Sequence, residues 1–314
     1  MLRWPARHDD PTPGPCAWPR RAPPCQAAPV LPFSQVDVFT DEPGAGPGLG
    51  NPVAVVHDAE GLAEEQMQAF ARWTNLSETT FLLAPRDPSA DYRLRIFTPS
   101  RELPFAGHPT LGSARAWLEA GGQPGGDHLV QECGAGLVRV RRDPAVDGRL
   151  AFAAPPLVRS GPVEPPLLAR LRRGLHLAED DVVDAAWTDN GPGWVSLLLR
   201  DADAVLALAP DLAELEGLDL GVVGPHPPGG EAAFEVRAFA VGAGVDEDPV
   251  TGSLNAGLAQ WLLAAGHASA PYVAAQGTVL GRRGRVHVAV EGDDVWVGGG
   301  TLVGVSGRVA LSPA

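Results

Sequence analysis

The sequence predicts an α+β fold: two pseudo-equivalent domains, each a mixed β-sheet wrapped around one central α-helix. Three observations lead there. A short phrase occurs twice, His-Pro-Thr-Leu-Gly-Ser at residues 108–113 and Asp-Pro-Val-Thr-Gly-Ser at 248–253, with an offset of 140 residues. Each copy follows an apolar strand-like run (92–97, 234–239) and opens an Ala/Leu/Trp-rich helical stretch that closes at Gly121 or Gly266. Many short strands accompany one dominant helix per half, and the alternating crossover helices that an all-parallel sheet needs are missing.

A chain of 314 residues exceeds one comfortable hydrophobic core, so two domains are expected. Residues 1–32 carry nine prolines and no apolar periodicity, which predicts a disordered tail or a start codon placed too far upstream. Residues 33–157 then form the N-terminal domain and 158–314 the C-terminal one. The last strand, about 301–314, is free to cross back to the first domain.

Order begins at residues 33–39, which alternate as a half-buried strand does. A Gly/Pro loop over 42–50 leads to a second strand at 53–56. Residues 62–73 have helical spacing, broken at Asn75-Leu76, and 79–83 is a β-branched apolar strand. The first long helix starts after Gly107-His108-Pro109, with strands at 129–140 and 150–153 behind it. The second half is built alike, with strands at 194–199 and 234–241, a helix from Gly252, then strands at 286–290, 295–298 and 303–310.

Composition removes several classes of function. A formal net charge of −14 argues against nucleic acid or an anionic membrane as partner, and no apolar run is long enough to span a bilayer. All 24 basic residues are arginine, which excludes a lysine Schiff base and a P-loop lysine. The three cysteines form no C-x-x-C pair, so no structural zinc or dithiol is expected, and a reducing, cytoplasmic setting is the default.

The chemistry lies near the two helix starts. A helix N-terminus offers free N–H groups and about half a positive charge to an anion. Gly107 and Gly252 let backbone approach a ligand closely, and Ser253 adds a hydroxyl for capping the helix or binding a carboxylate. Glu78 enters an apolar strand, where burial raises a carboxyl pKa toward the range useful for proton transfer at carbon, unless Ser77-Glu78 is a solvated turn. His108 and Asp248 stand at matched places in the doubled phrase and can relay a proton or bind substrate amine and hydroxyl groups. Locally each also reads as structure, His108 as a core imidazole and Asp248 as an N-cap ahead of Pro249. His108 has no second metal ligand at i+3 or i+4, and no metal is expected.

Asn51-Pro52-Val53-Ala54-Val55-Val56, Leu76-Ser77-Glu78-Thr79-Thr80-Phe81, the stretch from Leu103 to Gly112 and Glu247-Asp248-Pro249-Val250-Thr251-Gly252-Ser253 together resemble the signatures of the PhzF-like phenazine-biosynthesis family. So do Gln276-Gly277 and Gly298-Gly299-Gly300 near the close. The resemblance runs from about Phe33 to the C-terminus. It implies a diaminopimelate epimerase-like fold with the site in the cleft, a homodimer, and cofactor-free isomerisation of a small carboxylate such as a dihydro-hydroxyanthranilate. By motif match Glu78 removes and returns the proton, while Gly107, His108, Asp248, Gly252 and Ser253 fall on substrate-contacting positions. The fold relative uses two cysteines, and the matching motif positions here hold Ala106 and Pro249. Epimerisation or racemisation of an amino-acid-like compound, and a non-catalytic metabolite-binding dimer, are the alternatives.

Overall fold

A computed structural model describes residues 30–40, 46–143, 146 and 148–311. Of the Pro-rich segment, residues 1–29 lie outside the described residues, as do residues 42–45 of the predicted loop. Val30, Leu31 and Pro32 do not belong to a tail: they open β1 (Val30–Thr40), where their partners are Ala310, Val309 and Arg308. Cross-strand pairing supplied by the distant C-terminal end orders them, which local composition does not reveal.

The first half continues with β2 (Asn51–Val56), α1 (Glu64–Thr74), β3 (Glu78–Leu83), β4 (Tyr92–Phe97) and the two-residue β5 (Glu102–Leu103). Then come α2 (Gly107–Glu119), β6 (Leu129–Cys133), β7 (Gly136–Arg142) and β8 (Arg149–Ala153). After β9 (Arg159–Pro162) and α3 (Pro165–Gly174), the second half follows with β10 (Val182–Asp189), β11 (Trp194–Leu199), α4 (Ala202–Leu206), β12 (Asp219–Pro225) and β13 (Phe234–Ala240). It closes with β14 (Val245–Asp248), α5 (Gly252–Ala264), β15 (Tyr272–Gln276), β16 (Gly284–Glu291) and β17 (Asp294–Ala310).

Strand pairing follows one scheme twice. β2 runs parallel to β3 and β4 to β6, with antiparallel β3–β4, β4–β5, β6–β7 and β7–β8 contacts. In the second half β11 runs parallel to β12 and β13 to β15, with antiparallel β12–β13, β13–β14, β15–β16 and β16–β17 contacts. The halves differ in closure. β8 and β1 both pair with β17, so β1, β2, β3, β4, β6, β7, β8 and β17 form a closed eight-stranded ring. β17 brings about residues 301–310 back to β1 in the first half, as the sequence allowed, and the sheet it completes there is a closed ring.

β17 is one continuous strand where the sequence suggested two. Gly298, Gly299 and Gly300 lie between them, and a Cβ at each would meet Leu150, Phe39 or Thr40 at 2.3–2.6 Å. The glycines therefore mark close packing along a strand that passes from β16 and β8 to β1, not a break in it.

α2 touches β1, β2, β3, β4, β6, β8 and β17, and its first eight residues are all buried. α5 packs on β10, β11, β16 and β17. α5 carries no charged residue and so lacks the polar face of α1, as suits a helix packed inside a fold. The two helices meet end to end, and the site lies at that meeting. Among the described residues no helix is long and apolar enough to cross a membrane.

Candidate active site

Gly107 and Gly252 are the first residues of α2 and α5, and they press against each other. A Cβ on Gly107 would lie 2.7 Å from the backbone of Gly252, and one on Gly252 would lie 2.8 Å from the Cα of Gly107. Their small size thus serves the approach of helix to helix. The N-cap residues are Ala106 and Thr251, and neither side chain caps its helix. Two helix N-termini with uncapped N–H groups therefore converge at one place.

The helix starts also fix the true register of the repeat. Gly107 and Gly252 are 145 residues apart, five more than the doubled phrase suggested. His108 therefore corresponds in position to Ser253, and Asp248, at the end of β14, corresponds to Leu103 at the end of β5. Ala106 corresponds to Thr251, so Pro249 is not the counterpart the motif indicated. The phrase misaligns the halves because Gly112 sits in mid-helix against Val53, while Gly252 begins its helix.

Glu78 is the first residue of β3, reached from α1 through Asn75, whose left-handed φ of 53° ends that helix. Burial holds its carboxyl well above the usual carboxylate range, and the charge of Asp248 pushes it the same way. Its Oε2 lies 3.3 Å from His108 Nε2, yet both atoms are buried without a hydrogen-bond partner. Burial pushes the His108 pKa down to about 3 against a hydrogen bond to the Pro52 carbonyl, so the imidazole is neutral.

Asn51 lies between His108 and Asp248. Its Nδ2 lies 3.0 Å from both Asp248 Oδ1 and the Val250 carbonyl, which uses its two hydrogens, and the 3.4 Å contact to His108 Nδ1 is a third and weaker one. Nε2 of His108 faces Glu78 Oε2.

Asp248 is held differently. Its Oδ1 accepts from Ser77 Oγ at 2.9 Å and from Asn51, and its Oδ2 accepts from Thr251 Oγ1 at 2.5 Å. Burial raises its pKa, while those hydrogen bonds work against the rise. Behind it Gln276 takes the backbone N–H of Thr251 and the Asn255 amide on Oε1, and Nε2 donates to Thr251 Oγ1 and the Asp248 carbonyl. His108 and Asp248 are bridged by Asn51 and do not face each other as a direct relay; the acid at the imidazole is Glu78. Nor is Asp248 an N-cap, since Thr251 occupies that place.

Ser253 Oγ accepts from the Trp194 indole at 3.0 Å, which leaves its own hydrogen for another acceptor. Ser77, Glu78, Ala106, Trp194, Asp248 and Ser253 wall a narrow pocket of ≈ 50 Å³. Asn51, Ser77, Thr251 and Gln276 have no assigned role in the sequence reading because buried amides and hydroxyls carry no positional signal of their own. Cys133 lies on β6, partly buried, its thiol pushed up by burial. Among the described residues no group of three or more His, Cys, Asp or Glu is placed to hold a metal ion.

Residues 36–311 match the family described as phenazine biosynthesis-like protein. The chain is 36% identical to antisense-enhancing sequence 1 of Schizosaccharomyces pombe, over 88% of this chain and 97% of that protein. It is 37% identical to the trans-2,3-dihydro-3-hydroxyanthranilate isomerase of Pseudomonas aeruginosa, over 82% of this chain and 89% of that one. A crystal structure of a phenazine biosynthesis PhzF-family protein from Enterococcus faecalis superposes with a TM-score of 0.71 at 26% identity, over 90% of this chain and 100% of that one.

Proposed function

The chain belongs to the phenazine biosynthesis-like family and is an isomerase, and on that premise we propose that it shifts a proton between carbons of a small carboxylate substrate, with Glu78 as the carrier and no cofactor. The observation that carries this reading is the Glu78–His108 contact: a buried carboxyl with a raised pKa, opposed by a neutral imidazole and lining the pocket. With Oε2 enclosed against His108, Glu78 turns Oε1 to the substrate. A carboxyl disfavoured as an anion is a strong base once ionised and a ready acid once protonated, so one group can take the proton from one carbon and return it to another.

The substrate carboxylate is held by the converging helix starts, with Ser253 donating its free hydroxyl hydrogen. His108 orients Glu78, and Asp248 keeps Asn51, Ser77 and Thr251 in place. The name of the Pseudomonas aeruginosa relative points to a dihydro-hydroxyanthranilate-like cyclic amino acid. The matching view of the fold is of two halves, each built around its own helix, acting as a homodimer.

The test is proton exchange in deuterium oxide with trans-2,3-dihydro-3-hydroxyanthranilate as probe. Glu78→Gln is expected to retain binding and to lose on the order of 10²- to 10⁴-fold in deuterium incorporation. Undiminished exchange in that variant overturns the assignment. Epimerisation is the second reading, favoured by Asp219, which lines the same pocket and opens β12 as Glu78 opens β3. Inverted stereochemistry in recovered substrate would select it.

A further inference from the structure

The rim of the pocket carries a cation that the proton-transfer chemistry does not use. Arg101 lines the pocket, and among the described residues it is the only cation that does so. Its guanidinium has no hydrogen-bond or ion-pair partner among the described residues. Arg72 and Arg142 likewise have no such partner among the described residues, so what sets Arg101 apart is its place on the wall of this pocket. Even its neighbour Glu102 is engaged elsewhere. Arg95 grips both Glu102 oxygens, at 2.7 and 2.6 Å, and also reaches Glu64.

The backbone under Arg101 is fixed. Thr98 N–H donates to the Arg101 carbonyl, and Thr98 Oγ1 accepts from the N–H groups of Ser100 and Arg101. Gln68 on α1 donates to the carbonyls of Thr98 and Pro99. The turn thus presents an unpaired guanidinium at a set place, above walls that include the carboxyls of Glu78, Asp219 and Asp248.

We propose that Arg101 determines substrate specificity by meeting a second acidic group of the substrate at the pocket mouth, so that the natural substrate class is a dicarboxylate. This rests on the proposed carboxylate-isomerase reading, in which the helix starts hold the first carboxylate at the floor. Arg101 is exposed, so the group it meets projects toward solvent, away from the reacting carbon. A guanidinium pairs a carboxylate through two parallel hydrogen bonds, which gives selection by geometry as well as charge.

The experiment is isothermal titration calorimetry of the full chain with anthranilate and with 2-aminoterephthalate, the same ring bearing one and two carboxylates. Wild-type protein is expected to bind 2-aminoterephthalate about tenfold more tightly. Arg101→Gln should lose that preference with anthranilate affinity unchanged, and Arg101→Lys should recover part of it. Equal weakening of both ligands by Arg101→Gln would place Arg101 on the first carboxylate and overturn the proposal. So would an unchanged preference, or binding of anthranilate alone by wild-type protein. Failure of both ligands to bind wild-type protein overturns the carboxylate reading itself.

Discussion

Two acidic groups stand at the meeting of α2 and α5, and the protein treats them in opposite ways. Asp248 is surrounded by donors from Ser77, Asn51 and Thr251, with Gln276 bracing the turn behind it. Glu78 faces the His108 imidazole and has no hydrogen bond on its enclosed oxygen. A buried polar group left unsatisfied costs about 1–3 kcal/mol, so folding alone would select against it. Under the proposed function the contrast is one between an acid held by donors and an acid poised for proton transfer.

The largest expected effect tests the first half of that contrast. Asp248→Ala leaves three donors facing an empty space and should destabilise the fold by about 3 kcal/mol in urea-induced unfolding. It also removes the charge that helps to hold the Glu78 pKa up, so the Glu78 carboxyl should titrate lower than in wild-type protein, as read by ¹³C NMR of the side chain. An Asp248→Ala variant of wild-type stability would mean that the donors are satisfied without it and that the contrast is mistaken.

Glu78→Gln tests the other half, and its effect on stability has the opposite sign. Because the folded pKa of Glu78 is raised, the unfolded chain releases this proton first as pH rises. Stability from this group is therefore complete below about pH 4.3 and declines as pH rises toward the folded value, by at most about 1.4 kcal/mol per pH unit. Glutamine does not titrate. The variant should match wild-type protein near pH 4 and exceed it increasingly at higher pH in thermal unfolding, while activity is lost. A constant difference across that range would show that Glu78 is an ordinary, solvated carboxylate.

How much of this is legible in the sequence depends on the kind of residue. The burial of Glu78 is only half legible, since Ser77-Glu78 reads locally as a solvated turn, and it is the motif Leu76-Ser77-Glu78-Thr79-Thr80-Phe81 that singles it out. The helix starts can be found because Gly107 and Gly252 each precede a long apolar helix. The doubled phrase pairs His108 with Asp248 wrongly, since it aligns a mid-helix glycine, Gly112, with a helix-opening one, Gly252, and so shifts the repeat by five residues. Asn51 gives no such sign because its role is to span two halves of the chain, joining Asp248, 197 residues away, to the neighbourhood of His108. The return of the last strand to the first half is legible, but its pairing with both β1 and β8, which closes the ring, is not: strand periodicity reports which face is buried without reporting the neighbour.

The smallest effect is a cancellation that the contrast predicts in wild-type protein. The His108 pKa is lowered to about 3, so its contribution to stability is present above about pH 6.5 and is lost as pH falls through the folded value. Between about pH 4.5 and 6.5 stability therefore rises with pH on account of His108 and falls on account of Glu78, and the two slopes oppose each other. As far as these two groups decide it, wild-type stability is nearly flat over this window. Glu78→Gln should expose a rising profile, His108→Asn a falling one, and the double variant should be flat again. Two single variants with parallel profiles would show that the groups titrate together with the bulk of the protein, and the functional distinction between the Glu78–His108 contact and the Asp248 cluster would lose its basis.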